Sequence, residues 1–342
     1  MKNVLVTGGA GFIGSHTVAE LHRTGYRPII VDDFSNSDDR VLHGLKSITG
    51  QSTPVYRINC TERDDLARVL HDEKPTAVIH FAAYKAVGES VAEPMKYYRN
   101  NVVSMINVLE LMDEFDVRHL VFSSSCTVYG QPKELPVTEK SPALRANSPY
   151  GFTKQVCEQM IEDYIAAHPH HGAALLRYFN PVGAHPSGAI GELPYGVPNN
   201  LVPFIAQTAA GLREELMVYG NDYSTPDGTC IRDYIHVMDL ARAHVLALDW
   251  LEKSAGKCEP FNLGVGKGSS VMEVIQSFEK VTGQAVKYTV GPRRPGDVEK
   301  IWADPSRAEK ELHWKTELSL EDALRDAWRW QEHLSDLEVK KS

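Results

Sequence analysis

Cysteine is scarce and unpaired in this sequence. The five residues Cys60, Cys126, Cys157, Cys230 and Cys258 are odd in number and scattered, with no C-x-x-C pair and no histidine at zinc spacing. A disulfide framework and a structural zinc site are therefore excluded, and the cysteines read as reduced thiols. Long apolar runs are also missing: none reaches the roughly 18 residues that cross a bilayer. Met1-Lys2-Asn3 runs straight into Val4-Leu5-Val6, leaving no room for the regions of a secretory signal, so a cytoplasmic protein with no membrane partner is expected. Positive charge is in deficit. A formal net charge of -9 argues against general affinity for nucleic-acid backbone, while a local cationic pocket stays compatible with it. With no low-complexity tract and no repeat at solenoid spacing, disorder is expected only in the last few residues.

What is present is an alternation of short apolar runs with longer stretches of helical period. The runs are 4–7, 28–32, 55–59, 77–81, 120–124 and 174–178; between them, 15–24, 63–71, 94–115 and 150–167 carry apolar residues at three- and four-residue spacing. A parallel sheet covered on both faces has this appearance, so the fold class is α/β, doubly wound and Rossmann-like. After Asn180 the pattern loosens into Gly- and Pro-rich loops, a helix near 201–210, a strand at 216–219 and a closing helix over 320–333. The 342 residues thus divide into 1–179, a dinucleotide-binding domain, and 180–342, a smaller mixed α/β domain. That second part is expected at the carboxyl ends of the strands, with some segments packing back on the first. The helices over 94–115 and 150–167 carry Val102, Met105, Ile106 and Leu109, and Val156, Met160, Ile161 and Tyr164, which serve either as core or as a self-complementary dimer face.

The first strand ends in Thr7-Gly8-Gly9-Ala10-Gly11-Phe12-Ile13-Gly14 and opens a helix. Glycine at Gly8 permits the turn, at Gly11 lets backbone approach a pyrophosphate, and at Gly14 allows tight helix packing, with the helix N-terminus facing the phosphates. The second strand ends at Asp32, about twenty residues on, where a carboxylate accepts hydrogen bonds from a ribose and repels a 2′-phosphate. NAD is therefore expected rather than NADP. The spacing G-x-x-G-x-x-G resembles the short-chain dehydrogenase/reductase superfamily.

Tyr150-Gly151-Phe152-Thr153-Lys154 opens another helix, which places Tyr150 and Lys154 one turn apart. A free tyrosine titrates near pH ~10, and an adjacent ammonium with a positive nicotinamide ring favours its phenolate. Y-x-x-x-K recurs by chance on helices, so its position carries the argument. Upstream, Leu120-Val121-Phe122 runs into Ser123-Ser124-Ser125, bringing hydroxyls to the carboxyl edge of a central strand.

Longer segments narrow the resemblance. His80-Phe81-Ala82-Ala83-Tyr84-Lys85-Ala86-Val87-Gly88-Glu89-Ser90, Ser123 to Gly130, Ser148-Pro149-Tyr150-Gly151, Leu176 to Pro186, Pro198-Asn199-Asn200-Leu201 and Arg232 to Leu240 are similar to the UDP-glucose 4-epimerase family, over nearly the whole chain. The resemblance implies an isomerase of galactose metabolism, interconverting UDP-galactose and UDP-glucose through a transient 4-keto sugar and tightly held NAD, as a homodimer. It implies that Tyr150, Ser125 and Lys154 are catalytic. Gly8, Gly11, Phe12, Ile13, Gly14, Asp32, Asp33, Phe34, Ser35, Asn36, Ser37, Asn59, Cys60, Phe81, Ala82, Ala83, Tyr84, Lys85, Asn100, Ser125, Tyr150, Lys154 and Phe179 would contact NAD. The sugar nucleotide would meet Ser125, Asn180, Asn200, Leu201, Met217, Val218, Tyr219, Arg232, Arg294, Asp297 and Ile301, the arginines matching diphosphate oxygens with their forked donors. No metal is implied.

Three positions depart from the family pattern: Asn59-Cys60 near the adenine, Cys126 after the serine triplet, and Ile301, which is intermediate between a bulky and a small residue where the sugar 2-substituent would lie. Cys126 reads as a packed residue rather than a nucleophile, since no histidine is evident beside it. The rivals are a sugar-nucleotide 4,6-dehydratase, which would need an added acid and base where Cys126-Thr127 stand, and a catalytically silent NAD-binding regulator, which typically loses the Tyr or Lys retained here.

Overall fold

The computed structural model describes residues 1–193, 195–294 and 298–339. In chain order, β1 (Asn3–Thr7), α1 (Phe12–Arg23), β2 (Arg27–Val31), α2 (Arg40–Thr49), β3 (Val55–Tyr56), α3 (Arg63–Glu73) and β4 (Ala77–His80) come first. They are followed by α4 (Val87–Ala92), α5 (Pro94–Tyr97), α6 (Val103–Glu114), β5 (His119–Ser125), α7 (Pro149–Ala167) and β6 (Gly172–Tyr178). The remainder holds β7 (Asn180–Val182), α8 (Leu201–Ala209), β8 (Leu216–Tyr219), β9 (Ile231–Arg232), β10 (Tyr234–His236), α9 (Val237–Leu251) and β11 (Cys258–Leu263). It closes with β12 (Ser269–Ser270), α10 (Val271–Thr282), β13 (Tyr288–Gly291), β14 (Lys300–Ile301), α11 (Ser306–Glu311) and α12 (Leu320–Val339).

Seven strands form one parallel sheet in the order β11-β6-β5-β4-β1-β2-β3. The chain winds outward from β1 to β3, then returns to β4 and winds the other way, so β1 and β4 flank a switch point whose carboxyl edge opens into a crevice. Strand residues alternate between two cores. Val4, Val6, Ile79, Val121, Ala174 and Leu176 join α1 and α9 residues on one face. Leu5, Val78, Leu120, Phe122 and Leu175 join α3, α6 and α7 residues on the other. Each fully buried Val, Leu or Ile contributes on the order of 1.5–3 kcal/mol, which is why runs this apolar become central strands.

The region after β6 builds a smaller apolar cluster from Val182, Val202, Ile205, Leu216, Val218, Tyr234, Phe278, Leu324 and neighbours. Its strands form three small sheets, β10-β7, β12-β9-β14 and β13-β8. Two of its segments lie elsewhere: β11 extends the main sheet beside β6, and Leu240, Ala243, Val245, Ala247, Leu248 and Leu251 of α9 belong to the core on the α1 face.

Three local differences from the sequence pattern have physical causes. The strand expected over 55–59 is only β3, because it pairs on one side alone, at Ile30 and Val31 of β2. The single helix expected over 94–115 is α5, a five-residue π-helical turn at Tyr98–Val102, and α6. That wide turn carries Asn101, whose side-chain amide binds the Tyr84 backbone. Of the residues named for a dimer face, Met105, Leu109 and Ile161 are buried in the core.

Candidate active site

The turn after β1 is shaped by backbone proximity. Gly8 has φ +69°, and a Cβ there would lie 2.8 Å from the Ala82 nitrogen; at Gly14 it would lie 2.2 Å from the Gly8 carbonyl oxygen. Both positions admit only hydrogen. Gly11 differs: it caps α1 in an ordinary extended conformation, and among the described residues an added Cβ meets only the Gly8 oxygen, at 3.2 Å. The first turn of α1 contains no acidic residue, so its free N–H groups present an unopposed positive end. This cradle fits a pyrophosphate.

Asp32 follows β2 and is tied down on three sides. Its carboxylate accepts from the Ala10 N–H at 3.0 Å, the Phe34 N–H at 2.9 Å and the Ser37 hydroxyl at 2.8 Å. A carboxylate has about four acceptor positions, so capacity for one further donor remains. Asp33, Ser35 and Asn36 are exposed around it, with Phe34 held at φ +58° beneath the Arg57 guanidinium, 4.0 Å from the ring centroid. The Asn59 amide donates to Asp33 at 2.9 Å and accepts from Thr61, while Cys60 is buried and its thiol is pushed up to about 12 by desolvation.

On the other side of the crevice, Phe81, Ala82, Ala83 and Tyr84 leave β4 partly buried, and Lys85 is exposed. Asn101 spans the Tyr84 N–H at 2.9 Å and its carbonyl at 3.0 Å, and reaches the Thr153 hydroxyl at 3.1 Å; Asn100 donates to Asn101 at 3.0 Å. The π-helical turn thereby links the β4 edge to α7. Lys85 reaches Glu192 at 3.1 Å, and the same Glu192 oxygen accepts from Asn200 at 2.6 Å.

Helix α7 starts where it must to present Tyr150. Ser148 caps it, accepting from the Gly151 N–H at 3.2 Å, and Pro149 fills the first position. Lys154, one turn on, is buried and donates to the Ser123 carbonyl at 2.6 Å. Burial lowers its ammonium to about 8, against the raising pull of Cys157 and Glu158. Burial likewise pushes the partly buried Tyr150 phenol up to about 12, opposed by a hydrogen bond with Ser125. Alternation along β5 sends successive hydroxyls to opposite faces. The Ser123 hydroxyl meets the Tyr178 hydroxyl, the Ser124 hydroxyl meets Glu158, and Ser125 accepts from the Thr127 N–H at 3.2 Å.

Behind these groups lies a buried polar network that sequence pattern alone does not assign. Arg177 on β6 donates to Glu158 through two nitrogens, at 2.9 and 2.6 Å, and to the Tyr129 hydroxyl at 3.2 Å. Tyr129 donates to Asn262 of β11 at 2.6 Å. The signal available was an arginine inside an apolar strand and a glutamate one turn after Lys154.

The residues expected to hold a sugar nucleotide gather in two places. Phe179 and Ile301 share a buried cluster with Val128, Tyr129, Val137 and Ala303, and Ile301 pairs with Arg232 across β14 and β9. Partly buried Arg232 donates to the Ile231 carbonyl at 2.9 Å, and Asn180 donates its N–H to the Asp233 carbonyl at 2.9 Å. Asp233 is wholly buried, and its carboxylate accepts from Val265, Gly266 and Ala303 N–H groups at 2.7, 3.2 and 3.1 Å. Burial raises it to about 6. Separately, Met217 and Tyr219 face outward on β8 while Val218 faces the core, and the exposed Arg294 guanidinium lies 4.5 Å from the Tyr219 ring centroid. Asn200 is exposed and Leu201 partly buried at the start of α8. Asp297 lies outside the described residues. Cys126 is partly buried, its thiol raised to about 11 by desolvation, which disfavours the nucleophilic thiolate. Among the described residues no group of three or more His, Cys, Asp or Glu is placed to hold a metal ion, and no helix is long and apolar enough to cross a membrane.

Comparison with known proteins places this geometry in context. A family model described as GDP-mannose 4,6 dehydratase matches residues 5–327. The UDP-glucose 4-epimerase of Bacillus subtilis (strain 168) is 50% identical over 328 residues, 96% of each chain. The crystal structure of UDP-glucose-4-epimerase from Stenotrophomonas maltophila, with bound NAD and formylated UDP-arabinopyranose, superposes with a TM-score of 0.95 at 47% identity, covering 98% of this chain and 100% of that one. That from Bifidobacterium longum, in complex with NAD+ and UDP, also reaches 0.95 at 47% identity, covering 98% and 99%.

Proposed function

This chain belongs to the UDP-glucose 4-epimerase family, and on that premise we propose that it is an isomerase that interconverts UDP-galactose and UDP-glucose with a retained NAD. The observation that carries the reading is the triad at the sheet edge: Tyr150 at the start of α7, buried Lys154 one turn on, and Ser125 at the end of β5, whose hydroxyl opposes the rise of the phenol. NAD, where bound, supplies a hydride acceptor and donor. The residues that would hold it are the Gly8 to Gly14 cradle, Asp32 to Ser37, Phe81 to Lys85, Asn100, Lys154 and Phe179. Their fit rests on the open space above Gly11 at the N-terminus of α1, whose first turn holds no acidic residue, and on the one acceptor position left at Asp32.

Tyr150 takes the proton of the sugar 4′-hydroxyl, and Ser125 hydrogen-bonds the same oxygen as it becomes a carbonyl. The resulting 4-keto sugar stays attached through a diphosphate bound by Arg232 and Arg294, turns about that anchor, and receives its proton back from Tyr150 with the other face presented. Because burial opposes the phenolate, a positive charge is needed beside it, and Lys154, one helical turn on and anchored on the Ser123 carbonyl, is the cation assigned to supply it together with the nicotinamide of the bound cofactor. The reaction runs in a cytoplasmic enzyme whose first 179 residues hold the cofactor and whose remaining residues hold the sugar nucleotide, with α9 and β11 contributed back to the sheet. A 4,6-dehydratase is disfavoured by the residues after Ser125: Cys126 and Thr127 offer no acid and base pair.

The test is incubation of the purified protein with UDP-galactose and no added NAD, followed by chromatography for UDP-glucose. Wild type converts it, and Tyr150→Phe loses about 10²–10⁴ of the rate. No conversion by wild type with NAD bound would refute the reading.

A further inference from the structure

We propose that the buried Glu158–Arg177 ion pair is a positioning element of the reaction centre, locking the Lys154-bearing turn of α7 to the end of β5 that carries Ser125. The inference rests on the catalytic roles given above to Ser125, Tyr150 and Lys154. The geometry is specific. Glu158 stands one turn after Lys154 on α7, and one of its oxygens accepts both the Ser124 hydroxyl and the Arg177 Nε at 2.9 Å, while the other accepts Arg177 Nη2 at 2.6 Å. Ser124 adjoins Ser125, and Lys154 itself donates to the Ser123 carbonyl. Two bonds therefore run from one turn of α7 to two successive residues of β5, one from the cation and one to the carboxylate. A sliding or rotation of α7 that moved Tyr150 from Ser125 would break both.

Arg177 extends the lock across the sheet. It reaches the Tyr129 hydroxyl at 3.2 Å, Tyr129 donates to Asn262 at 2.6 Å, and Asn262 donates its side-chain amide to the Val137 carbonyl at 3.0 Å and its backbone N–H to the Glu139 carboxylate at 2.7 Å. Glu158, Arg177, Tyr129 and Asn262 are all buried, so the centre of the network is in low dielectric, where an ion pair contributes geometry rather than stability. Simple core stability would be served as well by apolar residues of the same volume. What apolar residues could not supply is a fixed negative charge one turn from Lys154. That ammonium is faced from its own helix by Glu158 and the Cys157 thiol, both of which favour its protonated state, from β5 by the Ser123 carbonyl and the Phe122 ring 4.8 Å away, and from β4 by the buried His80, whose protonation it disfavours.

Glu158→Gln keeps the shape and one of the two acceptor oxygens but removes the charge. In the holoenzyme, kcat should fall at least about tenfold with KM for the sugar nucleotide within about twofold, and the alkaline limb of kcat should move to lower pH by about one unit, since Lys154 loses its proton earlier. Glu158→Asp should restore the limb. A second readout is independent of any substrate: the 13C resonance of the Lys154 ε-carbon should titrate at lower pH in Glu158→Gln than in wild type. Inactive wild type with this shift present would overturn the epimerase reading and leave the Lys154 coupling standing. If Glu158→Gln does not fold, Ser124→Ala tests the link alone: kcat should fall severalfold with the alkaline limb unmoved, because the charge remains. Wild-type kcat–pH profiles and Lys154 titration in folded Glu158→Gln, or unchanged kcat in Ser124→Ala, would overturn the proposal and leave a merely structural pair.

Discussion

Two of the glycines after β1, Gly11 and Gly14, do different work, and the difference is measurable. At Gly14 an added methyl would sit 2.2 Å from the Gly8 carbonyl oxygen and 2.9 Å from the Gly9 Cα, both backbone atoms that cannot step aside. Gly14→Ala must open the turn against α1, an overpacking cost of about 1–3 kcal/mol. For folding units of this size that lowers Tm by about 2–4 °C per kcal/mol, with or without cofactor. At Gly11 the backbone is ordinary, φ -74° and ψ 177°, and the added methyl meets only the Gly8 oxygen at 3.2 Å among the described residues. Gly11→Ala should therefore change apoprotein stability by less than about 1 kcal/mol, the scale of an N-cap exchange. If the space above Gly11 belongs to a pyrophosphate, the same overpacking cost falls on the complex alone and weakens NAD about tenfold to a hundredfold. Calorimetric melting of the stripped protein and titration with NAD separate the two quantities. A Gly11→Ala protein that binds NAD as wild type does, or a Gly14→Ala protein as stable as wild type, would refute the assignment.

Other expectations follow from burial and exposure. Burial holds His16 and His80 down to about 3 and His244 to about 4, below the ordinary 6.5, so the unfolded chain takes up these protons first and stability present above 6.5 is lost as pH falls. Asp233, raised to about 6, acts in the opposite sense because its native form protonates first. Between pH 6 and 5 these four groups together take up about two protons on unfolding, a contribution of roughly 3 kcal/mol per pH unit, and urea titrations at pH 7, 6 and 5 would show it; flat stability would contradict it. Arg294→Ala should weaken UDP about tenfold to a hundredfold by isothermal titration, the loss expected for charge-assisted bonds to a phosphate, with neutral uridine little affected. Val91, Met95, Ile106 and Phe152 are exposed on the helices from α4 to α7. The protein should sediment as a dimer, and Met95→Glu with Ile106→Glu as a monomer; an unaltered dimer would move the interface elsewhere.

Local periodicity carried much of the fold. Short apolar runs at 77–81 and 120–124 identified central strands because both of their faces are buried, and such a run was least informative at 55–59, where a single pairing partner ends the strand after two residues. The break inside 94–115 left no trace in apolar spacing, since it answers to one side chain, Asn101, bonding to a backbone 17 residues away.

The sequence by itself determined what depends on neighbours along the chain. A glycine-rich turn between strand and helix, a tyrosine and a lysine one helical turn apart, and three hydroxyls at a strand end are written in spacings of a few residues. Tertiary structure alone decided what depends on register between distant elements. It brought Asn262 to Tyr129 from 133 residues away, set Arg177 against Glu158, and inserted β11 beside β6. Such meetings are chosen by burial. A polar group inside a core must find a partner wherever the packing of apolar faces has delivered one, and no local pattern records where that is.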